Sequence, residues 1–177
     1  MIDFENNIAI ELIKNHEGTQ SFVVEDEGVV IGRCSIPLSL RETMKQSPIL
    51  ILEKPFTERV ETILNDYVIG LSKEYETHFQ SDGQSKYEEA MRQALQRIKK
   101  RLGGQRYKEI ANLLSAALES MDLEQHREWI RRLLNDYYDP MYDYQIQNKD
   151  SRIVCHGDES DLIDYLLGKG LEIRSNQ

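Results

Sequence analysis

Cysteines and long apolar runs are scarce in this sequence, and each scarcity excludes a class of protein. The 177 residues include two cysteines and four prolines. Two cysteines are too few for a disulfide-stapled scaffold and favour a reducing compartment, so we expect a cytoplasmic protein. No apolar run approaches the roughly 20 residues that a membrane helix needs. The start of the chain also lacks the basic and then apolar layout of a signal peptide, so we expect no membrane association.

The charge of the chain is unevenly distributed. The net charge is −9, which argues against a surface that is basic throughout. Residues 86–108 nevertheless hold eight basic residues against two glutamates, a local charge of +6 that leaves −15 for the rest. This asymmetry predicts a basic interaction face on an otherwise acidic protein.

Short apolar runs in the first third of the chain predict buried strands. We predict strands at Ser21–Glu25 and Ile49–Leu52, and the β-branched run Val29–Ile31 either pairs with the first strand or continues it. Pro37 suits the first turn of a helix that runs to Gln46. Thr57 is the predicted cap of a second helix, although the acid that completes a capping box is absent. This alternation of strands and helices is the pattern of a parallel α/β sheet.

The rest of the chain predicts a helical insertion followed by a return to the sheet. Helices fill residues 71–135, with a break at Gly103-Gly104 and a cap at Asp122. We expect strands at Tyr142–Gln147 and Arg152–Cys155, then a closing helix and a frayed tail from Arg174 to Gln177. The predicted class is therefore α/β and helix-rich, a parallel sheet with a large helical insertion. Its segments are 1–70 (α/β core), 71–135 (insertion) and 136–177 (completion of the core).

The start of the chain bears on the domain prediction. A helix at Ile2–Lys14, followed by a turn at Asn15–Thr19, begins so close to Met1 that we expect the chain to start inside a larger domain. We expect no internal repeat.

Charged residues at predicted strand ends are the first candidates for function. Ligands of open α/β sheets bind at the carboxyl ends of the strands. Glu25 and Asp26 follow the first predicted strand and could hold Mg²⁺, or they form an acidic turn in solvent. Arg33 and Arg59 lie on nearby loops and could bind phosphate oxygens in a bidentate manner. Arg59 could equally pair with Glu53 or Glu58.

A basic helix and a tyrosine-rich segment are the second set of candidates. Arg97, Lys100 and Arg101 share one helix face, which could follow a nucleic-acid backbone or remain a solvated surface. The segment around Tyr138, Asp139 and Tyr142 could stack nucleic-acid bases. Its alternative, which we favour, is a well-packed entry to a strand with buried tyrosines.

Several catalytic motifs are missing from the printed sequence. A phosphate loop requires Gly-x-x-x-x-Gly-Lys-Ser/Thr, and no segment fits it. No Cys-His or Ser-His nucleophile arrangement is legible, and we interpret the four scattered histidines as surface or structural residues. The chain alone predicts no complete catalytic site.

Several stretches together resemble the nucleotide-fold half of the tRNA 2-selenouridine synthase family. Their order and spacing hold over nearly the whole chain, and the block beginning at Tyr137 is the most specific. The stretches are Phe4-Glu5-Asn6, Glu25-Asp26-Glu27 with Ile31-Gly32-Arg33 and Pro37, Pro55 with Glu58-Arg59-Val60 and Tyr67, Arg101-Leu102-Gly103 with Gln105-Arg106-Tyr107, Tyr137-Tyr138-Asp139-Pro140-Met141-Tyr142-x-Tyr144-Gln145, and Gly157.

The resemblance implies a transferase that converts wobble 2-thiouridine of tRNA to 2-selenouridine, by way of geranylated thiouridine. Selenophosphate and geranyl diphosphate are the family's co-substrates, and we expect no permanently bound cofactor apart from a possible Mg²⁺ at Glu25 and Asp26. The anticodon region of tRNA is the expected partner. The implied phosphate-side residues are Glu25, Asp26, Arg33 and Arg59, and the implied tRNA-side residues are Arg97, Lys100, Arg101 and Arg106.

The resemblance also implies that the α/β core is a partial phosphate-loop-type parallel sheet. The sequence departs from the family in lacking the phosphate loop and the rhodanese-like domain with its Cys nucleophile. We therefore expect a portion of such an enzyme that is inactive alone and works with the missing half or with a separate rhodanese chain. The alternative is a non-catalytic RNA-binding or adaptor module that keeps the fold as a scaffold.

Overall fold

The computed structural model describes residues 2–15, 21–120 and 122–168 of the chain. The predicted turn at 16–19 and the predicted frayed tail at 174–177 lie outside the described residues. The chain forms two compact units. The sheet unit comprises Met1–Glu53 and Lys149–Gln177, and the helical unit comprises Lys54–Asn148. Within the described ranges, no helix has the length and apolar character that crossing a membrane would require.

Helices dominate the fold, as the sequence predicts, and the strands are short. In chain order the first elements are α1 (Ile2–Lys14), β1 (Val30–Ile31), β2 (Cys34–Ser35), α2 (Leu38–Gln46), β3 (Ile49–Leu52), α3 (Phe56–Ile63), the π-helical segment π1 (Leu64–Gly70) and α4 (Leu71–Phe79). A 3₁₀ turn (Gln80–Asp82) leads to α5 (Gly83–Leu102), α6 (Gly104–Ser120), α7 (Leu123–Leu133), the π-helical segment π2 (Leu134–Tyr138), α8 (Asp139–Gln147), a 3₁₀ turn (Asp150–Arg152), β4 (Ile153–Gly157) and α9 (Glu159–Gly168).

A parallel pair of strands forms the centre of the sheet unit. The register aligns Ile49 of β3 with Ile153 of β4 and Leu52 with Gly157, with one irregularity after Ile49. Ile51 is buried in β3. The predicted strand at Ile49–Leu52 and its parallel pairing are confirmed.

Arg152 ties the sheet unit's α2 to β4. Its guanidinium donates hydrogen bonds to the carbonyls of Met44 and Ser47, both at 3.0 Å. The last carbonyls of a helix have no partner within the helix, so a cation placed there satisfies them and complements the helix dipole. The predicted helix after Pro37 is also confirmed, since α2 begins at Leu38.

The predicted strand at Ser21–Glu25 is wrong. Residues 21–27 have no regular secondary structure, and the side chains of Val23 and Val24 are more than half exposed. The later run instead forms a hairpin in which Val30–Ile31 pairs antiparallel with Cys34–Ser35. Gly32 takes a φ of 60° at the first central position of the turn, the position at which type II′ hairpins require glycine. The two-residue turn therefore lets Val30–Ile31 pair with Cys34–Ser35, which is nearer along the chain than residues 21–25.

The helical unit has its own hydrophobic core. Buried side chains recur along α5 at Tyr87, Met91, Leu95 and Leu102, which is the spacing of one helix face. Gly103 ends α5 with a φ of 81°, as predicted for this glycine pair. Asp122 caps α7 by accepting a hydrogen bond from the Glu124 amide at 2.9 Å, which confirms the predicted cap. The largest fully buried side chains of the core are Val60, Leu64, Ile110 and Ile130.

Two π-helical segments of the helical unit share the sequence Leu-Asn-Asp-Tyr. The motif occupies residues 64–67 in π1 and residues 134–137 in π2. In both copies the leucine is buried, at 1% and 5% exposure for Leu64 and Leu134. A four-residue match is far shorter than the roughly 20–50 residues of a structural repeat, so the expectation of no internal repeat stays a prediction. π-helical turns are rare and are often found at functional sites, which draws attention to the two tyrosines.

Two predictions in the helical unit are wrong. Helix α3 begins at Phe56 after Pro55, and Thr57 makes no capping hydrogen bond. Proline fixes its own φ before the first helical turn, so this entry needs no hydroxyl cap. Residues 142–147 belong to helix α8 rather than to a strand, and Pro140 lies in the first turn of this helix. Proline costs no hydrogen bond in a first turn, because the amides there have no intrahelical acceptor.

Candidate nucleic-acid interface and phosphate-side residues

Four exposed cations mark the end of α5 and the start of α6. Arg97, Lys100 and Arg101 are separated by three and four positions, so they share one face of α5. Arg106 is exposed in the first turn of α6. Within the part of the chain that the structure describes, no carboxylate lies within ion-pair distance of any of these four side chains. We call Arg97, Lys100, Arg101 and Arg106 the basic face.

Other arginines of the helical unit differ from the basic face because they already hold carboxylates. Arg127 binds Glu61 through two hydrogen bonds of 2.6 and 3.0 Å. Arg131 contacts Glu124 at 2.8 Å, and Arg132 lies 2.9 Å from Glu109. Cations that lack an acidic partner are the ones available to phosphate groups, and the basic face is built from them.

Arg59, a predicted phosphate-side residue, is held by Asp139. Its two terminal nitrogens donate to the two carboxylate oxygens of Asp139 at 2.6 and 3.0 Å. This bond, with the negative charges of Asp139 and Asp143, raises the pKa of Arg59. The guanidinium carbon also lies 5.4 Å from the centre of the Phe56 ring. Neither of the two alternatives considered from sequence, Glu53 or Glu58, is the partner.

The acidic candidates lie in the sheet unit. Asp26 forms an ion pair with Lys149, and the hydrogen bond from this lysine lowers the pKa of Asp26. Glu25 is exposed beside it, and Arg33 is exposed in the β1–β2 turn. Among the described residues, no group of three or more His, Cys, Asp or Glu side chains is arranged to hold a metal ion. Glu25 and Asp26 stay a prediction as metal ligands.

No local sequence pattern indicates that Lys149 is the partner of Asp26. The two residues are 123 positions apart, and Lys149 stands in a predicted turn with no motif around it. The same holds for Arg59 and Asp139, which are 80 positions apart. Local spacing reports helix faces and caps, whereas these pairs depend on the tertiary fold.

The tyrosine-rich segment differs from the packed strand entry that we favoured. Tyr137 is buried, but Tyr138, Tyr142 and Tyr144 are 41%, 55% and 67% exposed. The rings of Tyr137 and Tyr138 meet edge to face with centres 4.9 Å apart. Partial burial raises the pKa of Tyr138, with smaller contributions from Tyr137 and Tyr67. Tyr67 of π1 is exposed as well.

The one buried histidine of the helical unit has a structural role. His126 is 4% exposed, and its Nδ1 accepts a hydrogen bond of 3.0 Å from the Trp129 indole. Burial lowers the pKa of His126, against an opposing hydrogen bond with the Ala117 backbone. A neutral ring is needed to accept from Trp129, so the environment and the hydrogen bond favour the same form.

Comparison with known proteins gives one consistent result. A family model of the tRNA 2-selenouridine synthase AAA domain matches residues 1–171. A tRNA 2-selenouridine synthase from Pseudomonas putida is 45% identical over 174 residues, which are 95% of this chain and 47% of the relative. One from Bordetella bronchiseptica is 44% identical over 175 residues, which are 96% of this chain and 48% of the relative.

The chain spans about half the length of the curated relatives that it matches. No solved structure shows a significant match. The family match nevertheless extends over all the elements described above, from α1 to α9. The chain therefore belongs to the tRNA 2-selenouridine synthase AAA domain family.

Proposed function

We propose that this chain is part of a tRNA-modifying transferase that converts wobble 2-thiouridine to 2-selenouridine, by way of geranylated thiouridine. The observation that carries the proposal is the family match over residues 1–171, joined by relatives named tRNA 2-selenouridine synthase. Selenophosphate as selenium donor and geranyl diphosphate as prenyl donor complete the proposal. Both carry phosphate groups, so the enzyme has to bind anions as well as RNA.

The basic face is the proposed tRNA-binding surface of this chain. Its four cations are exposed and lack carboxylate partners, in contrast to the ion-paired arginines on α7. Placing these cations against RNA phosphates releases the counterions condensed on the RNA, which is the main source of sequence-independent affinity. The surface is suited to positioning the tRNA rather than to reading its bases.

Glu25, Asp26, Arg33 and Arg59 remain the proposed phosphate-side residues, with roles that their contacts refine. Arg33 is the more accessible of the two cations in this set, since it lies in the exposed β1–β2 turn. Arg59 can offer the same two nitrogens to a diphosphate only if it releases Asp139. Mg²⁺ accepts one or two carboxylates when water and substrate phosphates complete its coordination shell. Glu25 and Asp26 are the proposed source of these carboxylates. Because Lys149 already neutralises Asp26, we assign no step of the reaction to a metal.

We propose that the complete reaction also requires a phosphate loop and a rhodanese-type cysteine supplied by other segments or by a separate chain. The printed sequence contains no Gly-x-x-x-x-Gly-Lys-Ser/Thr motif. A phosphate loop binds phosphates through consecutive backbone amides and a lysine, and scattered arginines do not reproduce that arrangement. Alone, the chain is expected to bind tRNA without turning over selenophosphate.

We further propose that β3 and β4 belong to a phosphate-loop-type sheet and that residues 71–135 are a helical insertion. Neighbouring parallel strands need a crossover connection, commonly a helix. Here β3 ends at Leu52 and its parallel neighbour β4 begins at Ile153, with the whole helical unit between them in sequence. An insertion into such a crossover accounts for this unusually long connection.

Binding to a tRNA that carries 2-thiouridine at the wobble position tests the proposal. The dissociation constant is measured by fluorescence anisotropy from low to physiological salt, with a tRNA that is not a substrate for thiolation as the comparison. We expect affinity to fall steeply with salt, because the four cations of the basic face would displace counterions condensed on the RNA phosphates. Failure to bind tRNA at low salt, or binding that salt leaves unchanged, would overturn the proposed role of this surface.

A further inference from the structure

Two exposed tyrosines of the helical unit form an aromatic patch that the proposed backbone contacts do not use. Tyr138 ends π2, and Tyr142 follows one helical turn later in α8. Their exposed fractions are 41% and 55%. Residues four positions apart share a helix face, so Tyr138 and Tyr142 are neighbours. We call Tyr138 and Tyr142 the tyrosine patch.

The backbone beneath the tyrosine patch is held in place by several contacts. Tyr138 packs edge to face on the buried ring of Tyr137. The bidentate pair between Arg59 and Asp139 fixes the residue that follows Tyr138. Rigid aromatic side chains lose little conformational entropy when they bind a flat ligand, so such support favours recognition.

The charge around the tyrosine patch favours nucleic acid as its occupant. Arg101 of the basic face donates to the hydroxyl of Tyr137 at 3.4 Å, one residue before Tyr138. Of the neighbouring carboxylates, Asp139 is ion-paired with Arg59 and Asp136 with Arg132, and the charge of Asp143 also acts on Arg59. Exposed rings beside an unpaired arginine are the combination that binds unpaired nucleotides, with bases on the rings and a phosphate on the cation.

We propose that Tyr138 and Tyr142 form a stacking platform for unpaired bases of the bound RNA, and that Arg101 holds an adjacent phosphate. The inference rests on the proposed function, because the RNA in question is the tRNA positioned by the basic face. It adds contacts to bases, which the basic face alone does not make. A loop of unpaired nucleotides fits this platform, whereas a continuous duplex keeps its bases stacked on one another.

The test uses two RNA probes and matched tyrosine variants. The probes are an anticodon stem-loop RNA and an unstructured oligouridine of the same length, each with 5-iodouridine at unpaired positions. Anisotropy measures affinity, and ultraviolet crosslinking followed by mass spectrometry identifies the aromatic residues that contact the iodinated bases. The variants are Tyr138→Leu and Tyr142→Leu, with Tyr138→Phe and Tyr142→Phe to keep the ring and Tyr144→Leu as the exposed control in the same helix.

We expect each leucine variant of the platform to weaken binding of both probes about tenfold, which is within the range for loss of one stacked base. The phenylalanine variants and Tyr144→Leu should stay within about twofold of the unchanged chain, and crosslinks should map to the tyrosine patch. All substituted side chains are exposed, and far-ultraviolet circular dichroism checks that each variant folds.

The outcomes separate the platform from the proposed function. If the leucine variants bind both probes like the unchanged chain while Lys100→Gln still weakens binding, the platform is overturned and the tRNA-binding proposal stands. If oligouridine binds in a tyrosine-dependent manner but the stem-loop does not bind, the platform stands and the tRNA proposal falls. Crosslinks confined to tyrosines outside the patch would also overturn the platform.

Discussion

Arg59 and Asp139, which are 80 positions apart in the sequence, form a bidentate ion pair within the helical unit. The two N–O distances are 2.6 and 3.0 Å, and about a third of each side chain remains exposed. The pair joins the first turn of α3 to the first residue of α8. Bidentate geometry with partial burial distinguishes it from ordinary surface pairs, whose contribution to stability is small.

Removing either partner of this pair should destabilise the helical unit. We expect Arg59→Ala and Asp139→Ala each to lower the free energy of unfolding by about 1–2 kcal/mol, because each leaves a partly buried charge without its partner. The double variant should lose less than the sum, which gives a coupling energy of about 1 kcal/mol. Urea unfolding followed by circular dichroism measures all four proteins.

An exposed pair in the sheet unit provides the control for this double-mutant cycle. Lys45 and Glu42 lie 2.8 Å apart, and more than half of each side chain is exposed. Their coupling energy should stay below about 0.5 kcal/mol. Additive effects of Arg59→Ala and Asp139→Ala would contradict the structural role of the pair. The cycle also matters for ligand studies, since loss of diphosphate binding in Arg59→Ala is interpretable only if the variant remains folded.

Stability should fall as the pH drops below neutrality, because of His126. Burial lowers the pKa of this ring in the folded chain, whereas the unfolded chain keeps the ordinary value of 6.5. Below that value the unfolded chain binds more protons, so the free energy of unfolding falls until the pH passes the folded pKa. Above pH 6.5 both states are neutral at this residue and the contribution is complete. The measurement is urea unfolding between pH 5 and 7.5.

His126→Gln isolates this effect, because an amide can accept from the Trp129 indole without titrating. We expect this variant to reduce the dependence of unfolding free energy on pH over that range. His78→Gln changes an exposed histidine on α4 and should leave the dependence as it is in the unchanged chain. An equal pH dependence in His126→Gln and the unchanged chain would show that other groups are responsible.

Local signals predicted part of this fold. Pro37 marked the start of α2, Gly103 the end of α5 and Asp122 the start of α7, since each acts on its own neighbours. The four apolar residues of β3 were equally clear. Short runs without such signals were misjudged: Phe22–Val24 lacked a strand partner, and the tyrosine-rich segment continued the helix begun by α7.

Among the candidate site residues, too, features set by local spacing were predictable and those set by tertiary contacts were not. The shared face of Arg97, Lys100 and Arg101 follows from helical spacing and is confirmed as an exposed surface. The partners of Arg59 and Asp26 depend on tertiary contacts over 80 and 123 positions, so no local pattern contained them. The exposure of Tyr138 and Tyr142 was also beyond the sequence, because it depends on α8 being a helix instead of a buried strand.

Gly157→Ala should destabilise the sheet unit. Gly157 is buried at the end of β4, and a β-carbon there would meet the Asp161 carboxylate. That carboxylate accepts a hydrogen bond of 3.1 Å from the Asp158 amide, while Asp158 accepts one of 3.0 Å from the Asp161 amide. The two residues thus form a reciprocal cap at the start of α9. Displacing Asp161 should cost about 1–2 kcal/mol in unfolding free energy.

Gly104→Ala provides the matched comparison, since a β-carbon at Gly104 would have no atom within 4 Å. Gly104 lies at the start of α6, and alanine should leave stability unchanged or raise it by up to about 1 kcal/mol. Thermal unfolding ranks the two variants. Equal melting temperatures for Gly157→Ala and the unchanged chain would show that α9 does not depend on the reciprocal cap.

Neutralising the basic face should weaken tRNA binding and reduce its dependence on salt. Arg97→Gln and Lys100→Gln each remove one exposed cation that lacks a carboxylate partner. Because every phosphate contact releases condensed counterions, each variant should lower the slope of log Kd against log salt by roughly 0.7 to 0.9. The loss should be similar for different tRNA sequences, since phosphate contacts do not distinguish bases.

Lys73→Gln is the control for these charge variants. Lys73 is an exposed cation on α4 of the same helical unit, outside the basic face, and its replacement changes the net charge by the same amount. We expect the salt slope of Lys73→Gln to equal that of the unchanged chain, because long-range charge alone is screened within about 8 Å at physiological salt. Equal losses of slope in Lys73→Gln and Lys100→Gln would show that net charge, rather than the basic face, governs RNA binding. A loss confined to Arg97→Gln and Lys100→Gln would assign the phosphate contacts to the end of α5.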